Sequence, residues 1–378
     1  MKINTNKIIL GLDPRGIIVS GGTDVVKRQN IYGKNLYKQE FNYIILSTAN
    51  HKSVSIQSLN FLEIHQISKP TLNAFKFARS SAKYVIDKKW EIELLVAGDP
   101  WESYWSAYLL SKFLNKNIPI QIQVHGDIAD PRWRRINLRN RIRYLLAKLA
   151  LPKATSVRAV TKYQAENLEK VFGIRKEKIV VVPVPINMLN KTATLKIDRP
   201  KTIGLLGRIH QDRGVWEFIK LVRVLNLSYK DFKVVVIGDG PSKEKFLRKL
   251  LSVIPKNRVT YLGQLPESEL RKAWKRIGVL VSMAPVESYG RVMRESLIAG
   301  VPVWATASAG VKDLMDNCKK GEVRLLDLNK SDTSLEKDFN SLLKTKVSSD
   351  FSKRFIKENN TYAAKLANSW INVIKKSK

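Results

Sequence analysis

Glu287-Ser-Tyr-Gly-Arg-Val-Met-Arg-Glu295 sets two carboxylates eight positions apart around a glycine. The run before it, Ile277 to Met283, is apolar and rich in β-branched residues, as a buried strand is. The run after it, Val292 to Ala299, spaces its apolar residues as a helix does until Gly300-Val301-Pro302 intervenes. The glutamates therefore bracket a strand-to-helix turn. N–H groups at a helix start lack intrahelical partners and the macrodipole adds about half a positive charge, so an anion such as phosphate docks at Gly290 and Arg291. Glu295, one turn further on, is placed to accept hydrogen bonds from ribose hydroxyls, and Glu287 to face the group beyond the phosphate.

Outward from this turn, short apolar runs alternate with helical patterns. In the second half the expected strands are Thr202 to Leu206, Lys233 to Ile237, Val259 to Leu262, Val279 to Met283 and Val301 to Ala305. In the first half they are Ile8 to Gly11, Tyr43 to Ser47, Leu94 to Ala97, Ile120 to Val124, Val157 to Val160 and Ile179 to Val182. Runs this hydrophobic suit parallel strands covered on both faces, which makes an α/β protein of two doubly wound sheets with ligands at the strand C-termini. The polar, proline-bounded stretch Pro185 to Lys201 reads as the linker. The expected domains are residues 1–188 and 189–360, with an amphipathic helix in 361–378 packing back toward the first.

A chain of 378 residues with 44% hydrophobic content has enough material for two cores. Its single cysteine, Cys318, excludes an internal disulfide framework and a cysteine zinc cluster. The N-terminal apolar stretch Ile8 to Leu12 is too short for a secretory signal, and no run approaches the roughly 20 apolar residues of a spanning helix. The expectation is a soluble or peripheral protein. The net charge of +34 is shared, with 30 basic and 14 acidic groups in residues 1–190 and 37 and 19 in the remainder. That field favours a polyanionic partner, and a compositional lysine bias accounts for it equally well.

Thr202-Ile-Gly-Leu-Leu-Gly-Arg208 ends a strand in an arginine, with Arg213-Gly214 five residues on. Arginines converging at a strand end suit a diphosphate. Val234-Val-Val-Ile-Gly-Asp-Gly-Pro241, Val259-Thr-Tyr-Leu-Gly-Gln-Leu265, the Glu287 to Glu295 segment and Gly300-Val-Pro-Val303 follow in order. In these motifs the sequence resembles the retaining glycosyltransferases of family 4, which have the GT-B fold of two Rossmann-like domains around a cleft. The match is specific over 202–316 and looser over 7–188. The family pattern E-x-[FY]-G-x-x-x-x-E is met by Glu287, Tyr289, Gly290 and Glu295.

The resemblance implies that Glu295 binds the donor ribose and Glu287 the donor sugar. It implies that Tyr289, Gly290, Arg291 and Val292 hold the sugar and distal phosphate by backbone, and that Arg208 and Arg213 hold the diphosphate. Gly263 and Leu265 resemble the rim of the base pocket. Arginine stands here where lysine is commoner, which keeps the charge. Ala284 replaces a usual serine, and Pro183-Val-Pro-Ile-Asn187 replaces a Pro-Asn-Gly turn. In the first domain Gly21-Gly22-Thr23 looks like the family's glycine-rich loop, with Gly22 near the donor, and His125 lies where a histidine lines the reaction centre. The implied chemistry is front-face transfer with retention of anomeric configuration, with no protein base, cofactor or obligatory metal. A glycosidase reading of the two glutamates is weaker, since one is better used on ribose.

Asp130-Pro131 reads as a helix start and Pro152 as its end. Residues 132–148 hold seven basic groups and no acidic one. Projected at 100° per residue, Leu138, Ile142, Leu145 and Leu149 form one face, expected to be core. Trp133, Ile136, Asn140 and Tyr144 lie opposite, beside Arg139 and Arg143, with Arg135 nearby. The expectation is that this second face meets an anionic membrane surface and a glycan or lipid-linked acceptor, on the inner face of the cytoplasmic membrane. Competing readings are a GT-B epimerase or phosphorylase, and a basic nucleic-acid-binding protein, for which no recognised motif is found.

Overall fold

The computed structural model describes residues 7–20, 23–48, 55–186 and 199–378. The chain divides into two units, Met1–Pro183 with Asn360–Lys378, and Val184–Asn359. Most of the expected linker, residues 187–198, lies outside the described residues.

The first unit opens with β1 (Lys7–Asp13), α1 (Ile17–Ser20), α2 (Thr23–Tyr37) and β2 (Asn42–Thr48). A hairpin of β3 (Ser55–Leu59) and β4 (Leu62–Ser68) leads to α3 (Ala74–Asp87), β5 (Glu91–Ala97), α4 (Glu102–Phe113) and β6 (Ile120–Gln123). Then come α5 (Pro131–Arg135), α6 (Leu138–Ala150), β7 (Ser156–Ala159), α7 (Lys162–Phe172) and β8 (Ile179–Val181). The sheet order is β3-β4-β2-β1-β5-β6-β7-β8, parallel except for β3. All six expected strands are present. The hairpin is additional: Ser55-Ile-Gln-Ser-Leu59 is polar and half exposed, so its hydrophobic signal is weak at a sheet edge.

One face of this sheet is covered by Phe77, Ala78 and Ala82 of α3, Tyr104 and Leu110 of α4, Ala147 and Ala150 of α6, and Leu168 and Phe172 of α7. The opposite face receives Val26, Tyr32 and Leu36 of α2 together with Tyr362, Leu366, Trp370 and Ile374. Those last four lie on the helix Ser349–Ser377, which starts well before the expected residue 361. The Trp370 indole donates to Gln121 Oε1 at 2.8 Å, and the Tyr32 and Tyr362 hydroxyls share a hydrogen bond.

The expected helix after Asp130 is two helices. Asp130 caps α5, and Asn137, in extended backbone, caps α6 by accepting from the Asn140 N–H at 2.8 Å. The faces of α6 are also the reverse of expectation. Ala147 and Ala150 are fully buried, while Leu138, Ile142, Leu145 and Leu149 are exposed. Small alanines let the helix lie close on the sheet, and apolar character alone does not decide which face turns inward. Trp133 stacks on Trp101, Tyr144 packs on Phe172 beneath Arg134, and Arg143 lies over Trp101 and bonds Glu102 at 2.9 Å. These residues pack against their own unit, and Arg135 and Arg139 stay exposed.

The second unit runs β9 (Thr202–Leu206), α8 (Val215–Ser228), β10 (Lys233–Ile237), α9 (Lys243–Leu251), β11 (Val259–Tyr261) and α10 (Glu267–Trp274). It continues with β12 (Val279–Ser282), α11 (Arg291–Ile298), β13 (Val303–Ala305), α12 (Ala309–Asp316), β14 (Val323–Leu325), α13 (Asp332–Lys344) and the start of α14 (Ser349–Ser377). All strands are parallel in the order β11-β10-β9-β12-β13-β14. Ile203, Val234, Val236, Val279 and Val281 meet Phe218, Val222, Phe246 and Phe339 in its core. The order reverses beside β9, the first strand, so this sheet has its switch point between β9 and β12.

Candidate active site

At the carboxyl ends of β9, β10 and β11 the chain turns through glycine. Gly207 N–H donates to the Ile237 carbonyl at 2.9 Å and Gly238 N–H to the Gly263 carbonyl at 2.7 Å, forming a rim of bare backbone. Leu265 follows, half-buried, before α10. Across the switch point stands the loop between β12 and α11.

Two glycines bring Arg213 and Glu287 to this place. Gly214 caps α8 in the left-handed region, φ +69°, and a Cβ there would lie 2.1 Å from the Met283 carbonyl oxygen, so only glycine lets α8 press against the end of β12. Arg213, immediately before it, reaches Glu287 with Nη1 2.9 Å from Oε2. Gly290, φ +74°, caps α11, as the sequence spacing requires. Glu287 Oε1 accepts from the N–H of Gly290 at 3.1 Å and of Tyr289 at 3.4 Å. Glu287 thus engages two of the amides expected to hold the sugar and phosphate. Helix geometry leaves the Arg291 and Val292 N–H groups at the start of α11 without intrahelical partners.

Glu295 lies one turn along α11, largely buried, with Arg291 Nη2 3.9 Å from Oε1. Burial pushes its carboxyl up to about 7; Arg291 opposes the rise and Glu267 adds to it. Near neutral pH the group is poised between proton and charge. Arg208 is exposed and pairs with Asp212 at 3.2 Å, and Asp212 also bonds His210.

The loop is held by residues to which the sequence reading gave no role. Arg294 is buried, lies over the Tyr289 ring at 3.8 Å and bonds Asp313 of α12 at 2.6 Å. Gly310 N–H, in the first turn of α12, donates to the Glu287 carbonyl at 2.8 Å. Arg294 shares a helix face with Leu297 and Ile298, the one signal in the sequence that it is not another surface base.

In the first unit His125 follows β6 and is open to solvent. Burial, reinforced by Asp130, pushes the Asp127 carboxyl up to about 6. A network the sequence reading missed joins the ends of β1 and β5: Arg15 bonds Asp99 at 2.7 Å, and Asp99 accepts from the N–H groups of Trp101 and Ser103 at 3.0 Å. Gly22 lies outside the described residues.

Residues 189–361 match the family model described as glycosyl transferases group 1, and residues 48–185 match a glycosyl transferase 4-like domain. The chain is 27% identical over 189 residues to the 2-deoxystreptamine glucosyltransferase of Streptomyces kanamyceticus, covering 47% of this chain and 48% of that one. It is 30% identical over 251 residues to the sulfoquinovosyl transferase SQD2 of Arabidopsis thaliana, covering 62% and 46%. The chain thus spans about half the length of these relatives. Among solved structures, the sucrose-phosphate synthase of Thermosynechococcus elongatus superposes with a TM-score of 0.71 at 15% identity, covering 97% of this chain and 98% of that one. The Anabaena protein HepE, in complex with UDP-glucose, gives a TM-score of 0.63 at 18% identity, covering 96% and 99%. With two parallel α/β sheets, a glycine-rich strand-end rim and both family models placed in chain order, this chain belongs to the glycosyl transferases of group 1 and has the GT-B fold.

Proposed function

We propose that the chain moves a sugar from a nucleotide-sugar donor to a glycan or lipid-linked acceptor, with retention of anomeric configuration. The observation that carries this reading is the Arg213–Glu287 pair at the start of α11, with Glu295 one turn further on the same helix. A donor laid along that helix start meets Glu295 with its ribose, the Arg291 and Val292 amides with its phosphates, and Glu287 with its sugar. The family's chemistry and the UDP-glucose held by HepE support the same donor class.

On this reading the bond from the sugar C1 to the phosphate oxygen breaks and a bond from C1 to the acceptor oxygen forms on the same face. The acceptor's proton passes to the departing phosphate oxygen, and a nucleoside diphosphate leaves. Arg208, Arg213 and the α11 N-terminus offset the charge that grows on the diphosphate, and Glu287 faces the electron-poor sugar. These cations perform the task a divalent metal serves elsewhere, so transfer proceeds in EDTA. His125 and the strand ends of the first unit serve the acceptor. Sugar nucleotides are cytoplasmic metabolites, and the chain works on the inner face of the cytoplasmic membrane.

The test is a panel of nucleotide sugars with glycan and glycolipid acceptors. Nucleoside diphosphate release is followed, and the product anomer is read by NMR. Transfer with a conserved anomer supports the reading. Epimerised or phosphorolysed donor, or an inverted product, replaces it.

A further inference from the structure

We infer that the outward face of α6 is a docking surface for an anionic lipid bilayer. Leu138, Ile142, Leu145 and Leu149 are 69%, 53%, 60% and 56% exposed. At 100° and 1.5 Å per residue they fall within an arc of about 60° along about 16 Å of helix. Single exposed leucines are ordinary on a protein surface, whereas four in one uninterrupted line call for a cover. The inner side of the helix is already engaged: Ala147 and Ala150 rest on the sheet, Tyr144 on Phe172 and Arg143 on Glu102.

Charge decides the occupant. Residues 131–150 contain no acidic group, and Arg139 borders the stripe on one side with Arg141 and Lys148 on the other, all three exposed. A second copy of the chain seated on this stripe would set those cations against their own counterparts. An acidic, polar partner would satisfy the cations and leave the leucines wet. A bilayer with anionic headgroups satisfies both, since the aliphatic side chains enter the acyl boundary while guanidinium and ammonium groups remain at phosphate level. Arg135 of α5, also exposed, extends the basic border.

The experiment is sedimentation of the full chain with phosphatidylcholine vesicles, with and without phosphatidylglycerol, at low and high salt. The expected result is binding that needs phosphatidylglycerol and weakens with salt. The variant Ile142→Glu/Leu145→Glu should reduce binding at least tenfold while its melting temperature and its nucleoside diphosphate release on a soluble acceptor stay unchanged. Those two readouts separate failure of the docking surface from failure of the sugar-transfer reading. Absence of binding, equal binding to neutral vesicles, or full binding by the variant overturns the inference. So does a wild-type dimer in sedimentation equilibrium that the variant abolishes, because a second copy would then be the occupant.

Discussion

Glu295→Gln should make the protein more stable above neutral pH, and the gain should vanish in acid. Burial raises the Glu295 carboxyl from its ordinary 4.5 to about 7. Between these values the folded state holds a proton that the unfolded state has released. The group's contribution is therefore fully present below pH 4.5 and is lost as pH rises through about 7. At 1.36 kcal/mol per pH unit, that interval corresponds to about 3 kcal/mol. Glutamine fills the same space and never ionises, so the stability difference between variant and wild type should grow by about 3 kcal/mol from pH 4.5 to pH 8. For a domain of this size that is about 6 to 12 °C in melting temperature. The assay is a pH series of thermal melts of both proteins. A difference that is the same at pH 5 and pH 8 would refute the reasoning, since it would mean that Glu295 ionises as a solvated carboxylate. If donor binds only the ionised form, wild-type affinity at pH 6 should be about tenfold below that at pH 8, and the glutamine variant should show no such slope.

Arg208→Ala should lower transfer by about 10²–10³ through the lost diphosphate contact and cost at most about 1 kcal/mol of stability, its only described ion pair being an exposed one with Asp212; wild-type turnover would remove Arg208 from the site. Arg294→Met should destabilise the second unit by about 3 to 5 kcal/mol in urea unfolding, because it removes the buried guanidinium that pairs with Asp313 and lies over the Tyr289 ring. Gly214→Ala should cost at least about 2 kcal/mol, because a side chain at φ +69° meets the Met283 backbone, while Gly126→Ala, with open space around it, should be nearly neutral by the same measurement. Transfer should be unchanged by EDTA, as judged by nucleoside diphosphate release before and after chelation.

The residues that were legible in the sequence are those whose surroundings constrain them locally. Gly290 stands between a β-branched run and a helical run, so the turn, and with it the spacing of Glu287 and Glu295, follows from periodicity alone. Arg213 precedes a glycine that must cap α8. Contacts made at long sequence distance leave no such trace. Arg294 reads as one more base until Asp313 and the Tyr289 ring are seen beside it. Arg15 and Asp99 lie 84 residues apart and meet only because β1 and β5 are neighbours. The reversed faces of α6 have a different origin. Alanine carries too little hydrophobic signal to mark Ala147 and Ala150 as the buried side, and four large aliphatic residues on the outside outweigh it in any projection. Strand β3 left no hydrophobic signal because it is the sheet edge, where Gln57 and Ser58 stay exposed.

The central claim is that the start of α11 binds a nucleotide sugar through Glu295 and the Arg213–Glu287 pair. Isothermal titration of nucleoside diphosphates and their sugar conjugates into the full chain and into Glu295→Ala, at pH 8, tests it most directly. The account predicts that at least one nucleotide sugar binds the wild-type protein and binds the variant at least tenfold more weakly while the variant melts no lower. Equal affinity in the two proteins, or no binding by any nucleotide sugar, would contradict it.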